Sequence, residues 1–309
     1  MNYLRMNLQL FAGPVNYAAQ YQQALQQVFK AELRFEALYN TPNNGLVRWV
    51  NAKTIQVPSI SVGGFVDVNR DAMTNFTRRF DNSWVPYTLE HDREFSTLVD
   101  PADVDETNMA VTIANITRVF NTEQKIPEMD KYMASKLYAE YTSKGGVVDE
   151  EPLSEANILQ KFDKFMEEMD DAEVPQNGRI LYVTPKVNTM LKNADKIQRT
   201  LELRGTTTVA NRRIYSLDDV DIVVVPSSRM KTLYNFTDGA VPDAAARQIN
   251  MILIHPEAIF APQKYEFVSL DEPSARTGGK YLYYERKYWD VFVIEQKVPG
   301  IKMHVDPAS

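Results

Sequence analysis

The chain has 309 residues, of which 44% are hydrophobic, with no cysteine and a formal net charge of −7. That length exceeds the usual single domain and points to two domains, or to one with large excursions. The missing thiols exclude disulfides and thiolate metal sites. The acid excess speaks against a nucleic-acid-binding surface, and no apolar run approaches the roughly 18–20 residues of a membrane span.

The first residues, MNYLRMNLQLFAG, are only briefly apolar, so no secretory signal is expected. Residues 15–38 have helical spacing, with Tyr17, Tyr21, Leu25, Val28 and Phe29 three or four apart, until TPNNG (41–45) ends the run. This segment is either an ordinary amphipathic helix or an arm that docks on a partner. Residues 46–99 change character. VRWVNAKTIQVPSISV and SWVPYTLEHDREFSTLV carry β-branched and aromatic residues in partial alternation, separated by the polar stretch GGFVDVNRDAMTNFTRRFDN. Two long strands with so long a connection predict an extended hairpin. Pro58 and Pro86 cannot donate to a ladder, which favours edge or exposed strands. An excursion of this size has little local core and is expected to find its packing on another chain. Arg70, Arg78 and Arg79 gather near its tip, either as a solvated loop or as partners for an acidic patch on a neighbour.

Residues 103–124 return to helical period through Met109, Ile113, Ile116 and Phe120. Pro127, followed by Glu128 and Asp130, reads as a helix start, with Met129, Met133, Leu137 and Tyr141 as the buried stripe and KGG (144–146) as the stop. From 152 the pattern is mixed. Ser154 is expected to cap a helix facing inward through Ile158, Phe162, Phe165 and Met169. RILYVTP, RIYSL, DIVVVP and MILIHP are strand candidates, with Thr184 and Pro185 opening a helix through Leu191. GAVPDAAARQ (239–248) reads as a loop and Gly278-Gly279 as a turn. KYLYYERKYWDVFVIEQ and IKMHV close the chain as strands.

The stretch VDPADVDET (99–107) places Asp100, Asp103, Asp105 and Glu106 within seven positions. An EF-hand counted from Asp100 would need Gly at its sixth position and Glu at its twelfth, which here are Asp105 and Val111. A two-metal hydrolase would need carboxylates and usually His converging from several strands, yet His91, His255 and His304 each stand alone. The better reading is that Asp103 or a neighbour caps a helix while the other acids oppose the positive end of its dipole. No nucleophile elbow, P-loop or dinucleotide fingerprint occurs. No catalytic, metal or cofactor residue is assigned, and the chain is not expected to be an enzyme. The rival reading is a metal-dependent phosphodiesterase using the acids of 92–106.

Three stretches taken in order, HDREFSTLVDPADVDET (91–107), IPEMDKYMASKL (126–137) and YWDVFVIEQKVPGIKMHV (288–305), together with the early MNLQLFA, resemble a tailed-phage major capsid protein of the Hong Kong 97-like fold, of the type found in phages of Gram-positive bacteria. The resemblance implies an α+β fold with an N-terminal arm over 1–45 and an extended E-loop over 46–99. It implies a peripheral domain from 100–150 and 263–309, with a spine helix over 103–143 broken near Pro127, and an axial domain over 151–262. It implies self-assembly as hexamers and pentamers into an icosahedral head around double-stranded DNA, without sequence-specific binding or a membrane. Assembly is expected in the host cytoplasm, with a separate scaffolding protein and a portal as partners. The contact candidates between subunits are Tyr17 and Tyr21 on the arm and Arg70, Arg78, Arg79 and Trp84 on the E-loop. A nonviral encapsulating shell protein of the same fold remains an alternative.

Overall fold

The structure is a computed structural model, which describes residues 32–51, 53–65, 78–102, 113–194, 202–204, 207–209 and 216–307. By their contacts these fall into two units, one built from Arg93–Pro127 and Glu266–Arg286, the other from Leu33–Asp92, Glu128–Tyr265 and Lys287–Ser309. Helices and strands are both abundant, and the fold class is α+β.

The second unit is organised on a five-stranded mixed sheet, in the order Ile301–Val305, Ile249–Ile254, Ile180–Val183, Val220–Val224, Ser216–Leu217. Ile249–Ile254 runs antiparallel to both neighbours, and Ile180–Val183 pairs in parallel with Val220–Val224. Every residue of Ile249–Ile254 is buried, which requires cover on both faces. On one face Met251, Leu253, Leu181 and Val183 join a core with Ile158, Phe162, Phe165 and Met169 of the helix Ile158–Asp171. On the other, Ile252, Ile254, Tyr182 and Met303 pack with Met129, Met133, Leu137 and Tyr141 of the helix Ile126–Ser143. Both inward stripes are those that the 3.6-residue period selects.

The helix ends follow local chemistry. Gly145 takes φ +82°, its N–H meets the Thr142 carbonyl at 3.2 Å and the Gly146 N–H meets that of Tyr141 at 2.9 Å. This is a Schellman stop, and KGG supplies it. Thr184 caps the helix Pro185–Asn193 by accepting from the Val187 N–H at 3.5 Å, with Pro185 at its first position. Ser154 does not cap the next helix to its side: Asn157 holds that position, and its amide ties the approach by accepting from the Ser154 N–H at 2.7 Å and donating to the Pro152 carbonyl at 3.0 Å. Within 239–248, Val241–Pro242 pairs briefly with Tyr234–Asn235.

Pro127 lies just after an irregular turn in continuous helical backbone. Helical backbone continues from Ile113–Phe120 through a π turn at Asn121–Lys125 into Ile126–Ser143. The Ile126 N–H reaches back five residues to the Asn121 carbonyl. Pro127 has no N–H for the carbonyl four residues before it, and a widened turn just ahead of it carries the helix past that gap.

In the first unit Phe95 stacks on Phe120 with ring centroids 3.8 Å apart. Lys125 pairs with the buried Glu285, which also accepts from the Tyr283 hydroxyl at 2.8 Å. The strand β4 (Asp92–Val99) adds to a sheet in the order Gln263–Asp271, Tyr281–Trp289, β4, and Gly278 and Gly279, both at positive φ, lie in the connection between the first two.

Candidate interaction surface

The feature that stands apart from the packed core is the hairpin of β2 (Thr54–Val62) and β3 (Phe80–Thr88), with the short β1 (Arg48–Trp49) beside its root. Nine cross-strand pairs run from Thr54↔Thr88 to Val62↔Phe80, a ladder about 30 Å long at ~3.3 Å per residue. β4 belongs to another sheet, so within 46–99 the paired excursion is Thr54–Thr88.

The root is anchored by buried polar groups. Asp290, with no solvent exposure, accepts from the Glu90 N–H and the Val291 N–H, both at 2.8 Å, and from the Tyr132 hydroxyl at 2.6 Å. Burial pushes the Asp290 carboxyl above the usual carboxylate range, against the pull of the Tyr132 hydroxyl and of Lys136 at 3.8 Å. Burial and then the Asp290 charge raise the Tyr132 phenol, so the proton stays on the tyrosine. His91 stacks on Tyr132 at 3.7 Å, and its carbonyl accepts from the Trp289 N–H at 3.2 Å. The Tyr288 hydroxyl holds the Leu89 carbonyl at 2.7 Å. Two residues back along the helix, the fully buried Asp130 accepts from the N–H groups of Arg34 (3.0 Å) and Phe35 (3.1 Å) and from Arg229 Nη1 (2.8 Å). The sequence suggested a first-turn helix acid at Asp130; tertiary packing makes it the anchor for the segment entering from residue 33.

The register assigns every side chain of the hairpin to a face. Near the root the odd-numbered positions face the body, while Ser61, Asp81 and Ser83 farther out are exposed. Ile55 is fully buried in a cluster with Leu89, Phe260, Tyr288 and Phe292, and Tyr87 packs edge-on to Phe260 at 5.0 Å. Farther out this face turns polar with Ser59, Ser61, Asp81 and Ser83, and Gln296 meets the Ser59 hydroxyl at 3.5 Å. Even-numbered positions face solvent. Near the root they are Thr54, Gln56 and Thr88; beyond it come Pro58, Ile60, Val62, Phe80, Trp84 and Pro86, with the polar Asn82 opposite Ile60. Ile60 is 64% exposed, Val62 74%, Phe80 55% and Trp84 41%. That strip is on the order of 500 Å² of apolar surface, whose removal from water would contribute on the order of 10 kcal/mol before ordering costs.

The edges are blunted. The Gly63 N–H to Arg79 carbonyl and Leu89 N–H to Lys53 carbonyl bonds, both 2.8 Å, fix the odd positions as the hydrogen-bonded pairs of this ladder. Pro58 and Pro86 sit at even positions, where the N–H would point outward. Their missing donors cost the hairpin nothing and deny an incoming strand two hydrogen bonds.

Of the expected contact residues, Trp84 lies on the even face with the Arg48 guanidinium 5.6 Å from its ring. Arg78 and Arg79 are exposed near the tip. Arg78 lies over the Phe80 ring at 4.3 Å and donates through Nε to the Phe80 carbonyl at 3.2 Å. Tyr17, Tyr21 and Arg70 lie outside the described residues, as do Asp103, Asp105 and Glu106. Asp100 accepts from the Ala102 N–H at 3.0 Å, with Pro101 and Ala102 helical, which is helix-cap geometry. Glu94, another acid of 92–106, accepts from the Tyr284 hydroxyl at 3.1 Å. Among the described residues no three His, Asp or Glu gather to hold a metal ion. Sequence reasoning did not single out Arg48, Tyr132 or Asp290, and read Asp130 only as a first-turn helix acid. Only the Trp beside a basic strand signalled Arg48; the buried acids resemble any helix or loop acid.

No family model matches the sequence, and neither does any curated protein. Solved structures do match in fold. A chain from Mycobacterium phage Che8 aligns at TM-score 0.63 and 15% identity, over 90% of this chain and 93% of that one. A chain from the asymmetric unit of the bacteriophage PhiM1 mature capsid aligns at TM-score 0.59 and 13% identity, over 82% of each. A chain from the capsid of cyanophage P-SCSP1u aligns at TM-score 0.60 and 11% identity, over 92% of this chain and 90% of that one. The chain therefore has the fold of phage capsid chains.

Proposed function

We infer that this chain is the major structural subunit of a phage head, copies of which associate as hexamers and pentamers into a closed icosahedral shell around double-stranded DNA. The observation that carries this reading is a capsid-type fold with a long hairpin whose Ile60, Val62, Phe80 and Trp84 side chains are exposed among the described residues. A lone soluble chain gains nothing from such a strip, whereas a subunit repeated around a ring buries it at every contact. In this reading the hairpin is the E-loop, the segment ahead of Leu33 is the arm, and the long helix is the spine of the peripheral domain. The acid excess of the chain suits a wall against which packed DNA slides rather than adheres. Scaffolding and portal proteins would be separate partners, and the chain would reside in the virion after assembly in the host cytoplasm.

The test is deletion of residues 60–84. The chain should keep its core, because that core lies in the sheet and helices of the body, yet form no shells in electron micrographs. Normal particles would refute the role of the hairpin as E-loop, and absence of particles from the unsubstituted chain at any concentration would refute the shell reading. Arg78→Glu with Arg79→Glu should weaken assembly, most at low salt where exposed charges are least screened. Unchanged assembly at every ionic strength would remove the arginines from the contact.

A further inference from the structure

We propose that the Asn177–Gly178 peptide is a site of spontaneous deamidation, left open by its turn and directed toward isoaspartate by His255. The inference stands on this turn alone and is independent of the shell reading.

The sequence holds two Asn-Gly steps, Asn44-Gly45 and Asn177-Gly178. A glycine after asparagine has no Cβ to shield its backbone nitrogen, which can then reach the side-chain carbonyl carbon. The structure separates the two steps. At Asn44 the carboxamide is tied at both ends: Nδ2 donates to the Tyr39 carbonyl and Oδ1 accepts from the Ala261 N–H, each at 2.8 Å. Both bonds must break before Cγ can turn toward the next nitrogen. Asn177 is exposed, in the turn between the helix Ile158–Asp171 and the strand Ile180–Val183. Among the described residues its carboxamide makes no hydrogen bond. Gly178 takes φ +87° there. The flank is fixed, because the buried Arg179 donates through Nε to the Pro175 carbonyl at 3.0 Å and through Nη2 to that of Val174 at 2.6 Å. A change at 177 therefore stays in the turn.

His255 touches the peptide that reacts. Its Nδ1 accepts from the Glu257 N–H at 3.3 Å, which leaves the ring proton on Nε2, and Nε2 donates to the Asn177 carbonyl at 3.1 Å. That carbonyl and the Gly178 N–H belong to one amide, so drawing electron density to the oxygen makes the N–H more acidic. In the first step the Gly178 nitrogen gives its proton to water and its electron pair to Asn177 Cγ. The new C–N bond closes a succinimide, and the side-chain nitrogen leaves as ammonia. In the second step water opens the ring. Addition at the α-carbonyl, the one His255 polarises, breaks its bond to the Gly178 nitrogen. This frees an α-carboxylate and leaves the chain running through the former side chain as isoaspartate. Addition at the other carbonyl gives ordinary aspartate. Either product adds one negative charge to a chain whose net charge is −7.

The experiment incubates the full-length chain in mildly alkaline buffer, folded and in urea. Peptide mapping follows both steps over time, and isoaspartyl methyltransferase labelling tells the two products apart. In urea Asn44 and Asn177 should convert at similar rates. In the folded chain Asn177 should still convert, while Asn44 slows by at least about tenfold because two hydrogen bonds hold its amide. The isoaspartate share at 177 should be larger in the folded chain than in urea. His255→Ala should return that share to the urea value and slow conversion by about two- to tenfold. Circular dichroism checks that this variant folds, and a slow Asn44 reports the same independently; the comparison of folded chain with urea needs no variant. An amide that persists at 177 in the folded chain while converting in urea, or equal folded rates at 44 and 177, would overturn the site. A product share indifferent to folding and to His255 would overturn the role of the histidine.

Discussion

Asp130→Ala tests whether a buried carboxylate ties the entering segment to the long helix. The substitution takes the acceptor from the Phe35 and Arg34 N–H groups, 3.1 and 3.0 Å away, and the anionic partner from Arg229 at 2.8 Å. The Phe35 N–H is buried, and leaving it unpaired costs about 1–3 kcal/mol. Arg229 has a side chain only 13% exposed and loses its buried counter-charge, the kind of loss that costs about 3–5 kcal/mol when one partner is removed. Opposing these is relief of the Asp130 desolvation, the largest influence on its carboxyl, which stands above the usual carboxylate range despite Arg229 and the two backbone donors. The Arg34 N–H lies in an exposed residue and can turn to water. The net expectation is a loss of about 3–4 kcal/mol. Urea unfolding of the unassembled chain at pH 7 measures it, and hydrogen exchange should show faster exchange over 33–40 than across the central sheet. A loss under about 1 kcal/mol, or unchanged protection over 33–40, would refute the anchoring role.

Asp290 yields a prediction in pH. Burial raises its folded-state pKa above the unfolded value, so the folded chain holds the proton more tightly. Its contribution to stability is therefore complete below the unfolded pKa and is lost as pH rises through the folded one. Unfolding free energies of the unsubstituted chain minus those of Asp290→Asn should decline from about pH 4 upward; a flat difference would contradict the assignment. Gly146→Ala should destabilise by about 1–3 kcal/mol, because a Cβ there would lie 2.4 Å from the Tyr141 ring, and a thermal midpoint equal to that of the unsubstituted chain would disprove the clash. Asp218 and Asp219, at φ 48° and 62°, form a two-residue turn between Leu217 and Val220 with both central residues left-handed. Asp219→Gly should raise stability by about 0.5–1 kcal/mol in chemical unfolding, and a decrease would argue against strain at that position.

Much of the body was legible from residue spacing alone. Met129, Met133, Leu137 and Tyr141 recur at helical period and are buried; so are Ile158, Phe162, Phe165 and Met169. Thr184-Pro185 and KGG mark helix limits by side-chain oxygen, ring and glycine, which act on their own neighbours. Ser154 misled because Asn157, three residues on, also suits a cap, and its amide bonds to the approaching chain.

The sequence by itself determined the class of elements, the inward stripes of the helices and the existence of a long hairpin with prolines in both strands, because these depend on interactions a few residues long. Only the tertiary structure decided which face of that hairpin meets the body. Pro58 and Trp84 are 26 positions apart, and nothing local states that they are paired or that Ile55 lies on the opposite side. It also decided that Asp130 and Asp290 are anchors, since their partners, Phe35 and Glu90, lie 95 and 200 residues away. Periodicity reports what a segment can bury; register and long-range hydrogen bonds choose what it buries against.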